Sequence, residues 1–304
     1  MDSVNRSLIP PYRVYFTWDI SRECNYQCSY CDRWKGPIYP YPSLEKLLKL
    51  WNNLYEKYGS CHIHIAGGEP LIFPNFLDLI KNMSEVHTLE FSTNLSLEIY
   101  PIIEKINPLR VRIQASYHPE FSNFKEFCNK VKTLKNNGFD IWITYVGYPP
   151  YLHNLPFYKE EFEKITRFFI FPFGGRFNNQ EYPQGYTEEE KKILGIYSQD
   201  EQVNKRIIDW RTDINKSNTE GKLCRMGQMY AKIYPDGEAR SCCMDKAVSL
   251  GNFYNETFKL LDEPVICKNT LCSCWRSMIV GKEDDWLSQY PQLDIFKGGK
   301  NGKQ

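Results

Sequence analysis

The chain has 304 residues, long enough for one large domain or two ordinary ones with a well-buried core. Its 38 basic and 37 acidic residues nearly cancel, so no global field draws it to nucleic acid or anionic lipid. No apolar run approaches the ~20 residues that span a bilayer, and Met1–Pro11 lacks the layout of a secretion signal, so the eleven Cys point to metal ligation in the cytoplasm rather than to disulfides.

Strand-like and helix-like runs alternate from the first domain's start. The pattern predicts strands at 13–20, 62–66, 88–94, 111–116, 140–147 and 165–171. Between them it predicts helices at 43–58, 74–82, 97–106, 123–136 and 154–164. In the 43–58 helix, Ser43 is the expected cap and Gly59 the stop, with Leu44, Leu47, Leu48, Trp51, Leu54, Tyr55 and Tyr58 on one stripe. Such alternation predicts an α/β fold with a parallel sheet and crossover helices. The strands themselves split by face, because side chains alternate in direction. Val14, Phe16 and Trp18 oppose Thr17 and Asp19; Ile63 and Ile65 oppose His62 and His64. Leu89 and Phe91 oppose Glu90, Ser92 and Asn94; Val111, Ile113 and Ala115 oppose Arg112, Gln114 and Ser116. The apolar set must meet the helices, which leaves the polar set lining a common lumen. Cys128 falls on an apolar helical stripe and reads as a core thiol, and Cys61, just before a strand, reads as structural.

Between the first strand and the first helix lie Cys24, Cys28 and Cys31, in a C-x3-C-x2-C spacing with Tyr30 before the last Cys. Three thiolates without a nearby fourth ligand suit a soft metal centre with one position left open, unlike the closed four-ligand zinc site. Closing the second strand is Ala66-Gly67-Gly68-Glu69-Pro70. The two motifs in this order resemble those of the radical S-adenosylmethionine (radical SAM) enzymes, over about residues 13–175. The resemblance implies a partial (β/α)6 TIM-type barrel, with a 4Fe-4S cluster on Cys24, Cys28 and Cys31. It also implies that the cluster's free iron takes the amino and carboxylate groups of S-adenosylmethionine (AdoMet). Gly67, Gly68 and Glu69 would hold its ammonium, Tyr30 would pack near the adenine, and Ser92, Thr93, Asn94 and Ser116 would contact methionine and ribose. The end of the fifth strand, Tyr145 to Pro150, matches the family's usual glycine-containing motif poorly. His118, just past a strand end where barrel active sites gather, is the candidate substrate-contacting group.

Breakers between 172 and 186 mark the exit from the barrel, so the domain reading is 1–175, a connector at 176–220 and a second module at 221–304. In the connector, Thr187 and Glu190 predict a capping box, and a second helix is expected from Asp200 to Trp210. From Cys224 onward the thiols recur at Cys242, Cys243, Cys267, Cys272 and Cys274, with a hairpin signal at Asp236-Gly237. This layout resembles the small α+β twitch or SPASM extension of radical SAM enzymes, which implies a second, auxiliary 4Fe-4S cluster. Neighbouring strand residues point oppositely, so one of Cys242 and Cys243 should ligate, Cys242 by preference. Cys224 would be another ligand, with two more from Cys267, Cys272 and Cys274. A structural zinc site on the same thiols is the alternative, within a non-enzymatic binding module.

The resemblance implies reductive cleavage of AdoMet to a 5′-deoxyadenosyl radical and hydrogen-atom abstraction from substrate, fed by a reductant such as flavodoxin or ferredoxin. An auxiliary cluster accepting a second electron would give a dehydrogenation. Cys243, as a spare thiol returning a hydrogen, would give epimerisation. With about a dozen residues before the first strand, the expected substrate is a small molecule or sugar derivative; the aromatics Tyr148, Tyr151, Phe157, Tyr158, Phe171 and Phe173 near the barrel exit read first as core or interface and second as rings a sugar or nucleoside could stack on. A ribosomal peptide is the alternative. No Lys/Arg cluster marks a nucleic-acid strip.

Overall fold

A computed structural model describes residues 14–195, 218–270, 272 and 278–280. The expected helix over Asp200–Trp210, and Cys274, lie outside the described residues. Five βα units and a sixth strand come first among the described residues: β1 (Tyr15–Asp19), α1 (Leu44–Tyr58), β2 (His62–Ala66), α2 (Phe76–Met83), β3 (Thr88–Thr93) and α3 (Tyr100–Lys105). They continue with β4 (Val111–Tyr117), α4 (Phe124–Asn136), β5 (Asp140–Gly147), α5 (Leu155–Glu163) and β6 (Phe168–Pro172). β1 to β6 pair in parallel and in sequence order, and β6 stays an edge, so the fold is α/β with a partial TIM-type barrel. The strand expected at 165–171 begins only at Phe168, because α5 is followed by a turn whose Ile165 and Thr166 N–H groups bond back to Phe162.

The facial split of the strands is what builds the two layers. Phe16, Trp18, Ile63, Ile65, Leu89, Phe91, Val111, Ile113 and Ala115 share one core with the inner stripe of α1, Leu47, Leu50, Trp51 and Leu54. Phe16 and Trp18 pack on Trp51 with ring centroids 5.5 and 5.3 Å apart. Ser43 caps α1 by accepting from the Lys46 N–H at 3.2 Å. Cys61 and Cys128 are both buried in this core. On the opposite faces, Glu90 is buried beside His62, His64 and Arg112. Burial would push its carboxyl up, yet these neighbours hold it well below the usual range.

The breaker-rich exit contains a hairpin that the composition did not announce: β7 (Gly175–Phe177) and β8 (Gln180–Tyr182), turned by Asn178 and Asn179 with φ of 46° and 62°. Asparagine tolerates that left-handed region, so the Asn-Asn pair was its signal. A short helix, α6 (Glu188–Ile193), follows with the expected capping box of Thr187 and Glu190.

The last part supplies β9 (Leu223–Cys224), β10 (Tyr230–Ile233), β11 (Glu238–Arg240), β12 (Ser249–Asn252) and β13 (Val265–Ile266). The Asp236-Gly237 turn joins β10 to β11 as the sequence predicts. β10 then lies parallel to β1, with Tyr15 opposite Tyr230 and Trp18 opposite Ile233, so one nine-stranded sheet runs from β12 to β6. Trp18 Nε1 donates to Tyr254 at 3.0 Å, and Leu260 N–H donates to the Tyr58 hydroxyl at 3.2 Å. These bonds seat the C-terminal residues on the outer layer at α1. Among the described residues no helix is long and apolar enough to cross a membrane.

Candidate active site

β1 and β2 each run on past their last ladder residue, and the two extensions stay side by side. Gly68 N–H donates to Ser21 O at 2.9 Å and Glu69 N–H to Glu23 O at 2.8 Å. This contact explains both glycines. A Cβ on Gly67 would sit 2.4 Å from Ser21 O, and one on Gly68 would sit 1.8 Å from Glu23 O. Gly67 also has a φ of +141°, which side-chain-bearing residues rarely adopt. The two motifs, 36 positions apart from Cys31 to Gly67 by their numbers, thus meet at the C-terminal mouth of the barrel.

Glu69 ties in the third strand. Its buried carboxylate accepts from Leu71 N–H at 3.0 Å, Thr93 Oγ1 at 2.8 Å and Asn94 N–H at 2.7 Å. Burial pushes its carboxyl up to about 7, against the pull of these donors. Asn94 reaches the loop of the three thiols, donating to Asn25 Oδ1 at 3.0 Å, and Asn25 donates to Ser96 at 2.7 Å. Ser92 bonds His64 at 2.9 Å and Ser116 bonds Thr144 at 3.1 Å, so both face the lumen.

Cys24, Cys28 and Cys31 sit on one loop, free of disulfides and within electrostatic reach of one another. The Tyr26 N–H points at Cys24 Sγ at 3.4 Å, and Trp34 Nε1 donates to the Cys28 carbonyl at 3.3 Å. Burial, then the Glu120 carboxylate, push the Cys28 thiol up to about 12. Such thiols become thiolates only when a cation pays for the charge. Among the described residues no three Cys, His, Asp or Glu side chains converge on a single metal ion. A four-iron cube is wider than one ion, and three soft donors on one loop at the mouth fit it in kind and number.

The loop is fastened to the β4–α4 connection. Glu120 accepts from Ser29 N–H at 2.9 Å and Ser29 Oγ at 2.6 Å. Tyr30 and His118 share a 2.7 Å hydrogen bond and lie nearly parallel, at 19°. His118 thereby stands at the mouth beside the thiol loop, with Nδ1 engaged by Tyr30. Tyr148 packs on Tyr30, Phe173 and Phe177, and is buried with Phe173. Two of the barrel-exit aromatics are therefore core, the first of the readings their sequence offered.

A second thiol group lies in the C-terminal part. Cys224, Cys242, Cys267 and Cys272 surround one small apolar cluster with Tyr15, Met226, Tyr230, Met278 and Ile279. Cys242 is within electrostatic reach of Cys224 and Cys272, and Cys224 of Cys267 and Cys272. Cys243 is exposed. One further group at the mouth was missed from sequence: Asp19, Arg33 and Lys232 form a salt-bridged triad. Only the polar parity of Asp19 on β1 hinted at it.

Residues 18–154 match the model of the Radical SAM superfamily, and that likeness implies a 4Fe-4S cluster and AdoMet. GTP 3′,8-cyclase of Haemophilus ducreyi is 28% identical over 87 residues, 27% of this chain; the chain spans 26% of that relative's length. Among solved structures, native anSMEcpe with bound AdoMet superimposes with a TM-score of 0.59 at 15% identity, covering 93% of this chain and 97% of that one. SuiB of Streptococcus suis bound to S-adenosylmethionine gives a TM-score of 0.56 at 13% identity, over 83% and 66% of the two chains. Likeness at that identity speaks for the fold.

Proposed function

We propose that the chain is a radical SAM enzyme that carries out a redox modification of an organic substrate. The observation carrying this reading is the meeting of the Cys24–Cys31 loop with Gly67–Glu69 at the barrel mouth, through Gly68 to Ser21 and Glu69 to Glu23. When bound, the cluster and AdoMet supply a 5′-deoxyadenosyl radical able to take a hydrogen atom from an unactivated carbon. Cys24, Cys28 and Cys31 hold the cluster. Gly67–Glu69 offer acceptors to the AdoMet ammonium, and Ser92, Thr93, Asn94 and Ser116 line the lumen towards its methionine and ribose. Tyr30, oriented by His118, covers the adenine side. Cys224, Cys242, Cys267 and Cys272 are the ligand set of an auxiliary cluster, whose capacity to take a second electron favours dehydrogenation. The exposed Cys243 is the spare thiol of the epimerisation alternative.

For the substrate, a small molecule or sugar derivative is the first reading, supported by a curated relative that is by name a cyclase of GTP. A peptide is the second, favoured by overlap across 93% of this chain with anSMEcpe bound to AdoMet and the Cp18Cys peptide. The test is anaerobic reconstitution with iron and sulfide, then addition of dithionite and AdoMet. Release of 5′-deoxyadenosine by the parent, lost when Cys24, Cys28 and Cys31 are replaced by Ala, is the expected result. Deuterium transfer into 5′-deoxyadenosine from labelled candidates then separates the substrate classes. A colourless protein indifferent to AdoMet would sink the reading in favour of a zinc-stapled module.

A further inference from the structure

Asp19 ends β1, Arg33 lies two residues past Cys31, and Lys232 sits on β10. Both cations converge on Asp19 Oδ2: Arg33 through Nη1, and Lys232 through Nζ at 3.0 Å. The Asp19 side chain is 3% exposed, Lys232 11% and Arg33 46%, and among the described residues Asp19 Oδ1 is buried with no hydrogen-bond partner. Burial alone would push the Asp19 carboxyl up, yet Arg33 and Lys232 together hold it below its ordinary value. A buried carboxylate with one unsatisfied oxygen is costly in structural terms, so stability alone is a weak reason for it. Its charges sum to +1, and Arg33 is within electrostatic reach of the Cys31 sulfur.

We propose that this triad sets the reduction potential of the cluster held by Cys24, Cys28 and Cys31, with Asp19 and Lys232 positioning Arg33 so that a net positive charge stands beside Cys31. The inference rests on the proposed function. Reduction adds one electron, taken from a low-potential donor, and one negative charge to the cluster. A neighbouring positive charge favours that state; salt screens the buried Asp19 and Lys232 little and the half-exposed Arg33 more. Because Lys232 belongs to β10, the C-terminal part reaches the first cluster's electronics through Asp19. Lys232 matters by cancelling the carboxylate, which otherwise neutralises Arg33.

The charge arithmetic gives variants of opposite sign. Arg33→Gln and Lys232→Met each take the triad from +1 to zero, whereas Asp19→Asn takes it to +2 and Arg33→Lys leaves it at +1. The measurement is an anaerobic redox titration with dithionite of the reconstituted full chain. It is followed by the electron paramagnetic resonance signal that changes on adding AdoMet, with iron counted per chain. Expected is about a tenfold loss in the equilibrium constant for reduction in Arg33→Gln and Lys232→Met, about 59 mV for a one-electron couple. Asp19→Asn should shift the other way, and Arg33→Lys should stay within about twofold of the parent. Lys232→Met lies outside the cluster loop, so it tests the charge even if Arg33→Gln sheds iron. Any other pattern of signs, or iron loss in all four variants, overturns the inference and makes the triad a mere clasp. A parent that binds no reducible cluster overturns the proposed function instead.

Discussion

Tyr30 and His118, 88 residues apart, are joined by a 2.7 Å hydrogen bond and a near-parallel ring contact. One lies inside the thiol loop, the other just past β4, so the pair fixes the loop's height over the lumen. Burial drops His118 to about 4, which leaves it neutral at pH 7 and able to serve Tyr30 as donor or acceptor.

That pairing makes His118 a positioning residue for Tyr30 as much as a substrate contact. His118→Phe keeps the ring and loses the hydrogen bond, and should weaken AdoMet binding about fivefold, the worth of one net hydrogen bond of ~1 kcal/mol. His118→Ala, losing both contacts, should weaken it further. Anaerobic equilibrium dialysis with labelled AdoMet measures this. Unchanged AdoMet affinity with a raised KM for substrate would return His118 to the substrate side.

A second histidine governs acid stability. His87 is fully buried, accepts the Cys61 N–H on Nδ1 at 3.1 Å and meets the Trp51 carbonyl with Nε2 at 3.1 Å. This arrangement uses the neutral ring completely, and burial lowers its pKa to about 4. The unfolded chain, near 6.5, binds the proton first as pH falls, so this contribution is whole above 6.5 and is lost between 6.5 and 4. At pH 5 the loss from this group is about 2 kcal/mol. Urea titrations of the parent at pH 7 and 5 should show it, and His87→Gln should flatten the difference. An equal slope in both proteins refutes the assignment.

The elements that could be read from sequence are those whose signal is local. Period-two alternation set Phe16 and Trp18 against Thr17 and Asp19, whereas Cys242 and Cys243 lie in a bend past the end of β11, where strand parity does not apply. Ser43 and Thr187 announced their caps because a cap needs only the next three residues. What stayed hidden depends on residues far apart in the chain. Nothing in Tyr230–Ile233 says that it pairs with β1 rather than with strands of its own module, since an apolar run fits either partner. The Asp19–Arg33–Lys232 triad was hidden for the same reason: a charged residue reads as solvent-facing until its partners arrive from another element. The glycines of Gly67-Gly68 were legible as a motif, but their immediate physical cause, the backbone of Ser21 and Glu23, was not.

The four thiols around Met226 and Tyr230 yield a third prediction. If Cys224, Cys242, Cys267 and Cys272 hold an auxiliary cluster, Cys272→Ala should remove about half of the iron per chain while keeping the AdoMet-responsive signal. Cys243→Ser should leave iron at the parent level, because its side chain lies on the exposed side. Iron analysis and visible absorption decide between this and zinc: a zinc site would leave iron and colour unaltered in Cys272→Ala and lower zinc instead.

The last prediction contrasts two glycines whose added methyls would meet unlike neighbours. An added methyl at Gly147 meets side-chain atoms: the end of Leu194 at 2.5 Å, the Tyr186 hydroxyl at 3.4 Å and the end of Leu152 at 3.5 Å. A side-chain tip can rotate away, so Gly147→Ala should cost less than about 1.5 kcal/mol and keep AdoMet binding. At Gly68 the obstacle is backbone: Glu23 O at 1.8 Å, in the residue just before Cys24. The two strand extensions must part by more than an ångström to admit that methyl. That movement breaks the Gly68–Ser21 and Glu69–Glu23 bonds and tilts the thiol loop away from Glu69. Gly68→Ala should therefore bind AdoMet at least about tenfold more weakly, while a melting curve shows the barrel still folded. If Gly68→Ala bound AdoMet like the parent, the close pairing of these extensions would not be what shapes the site.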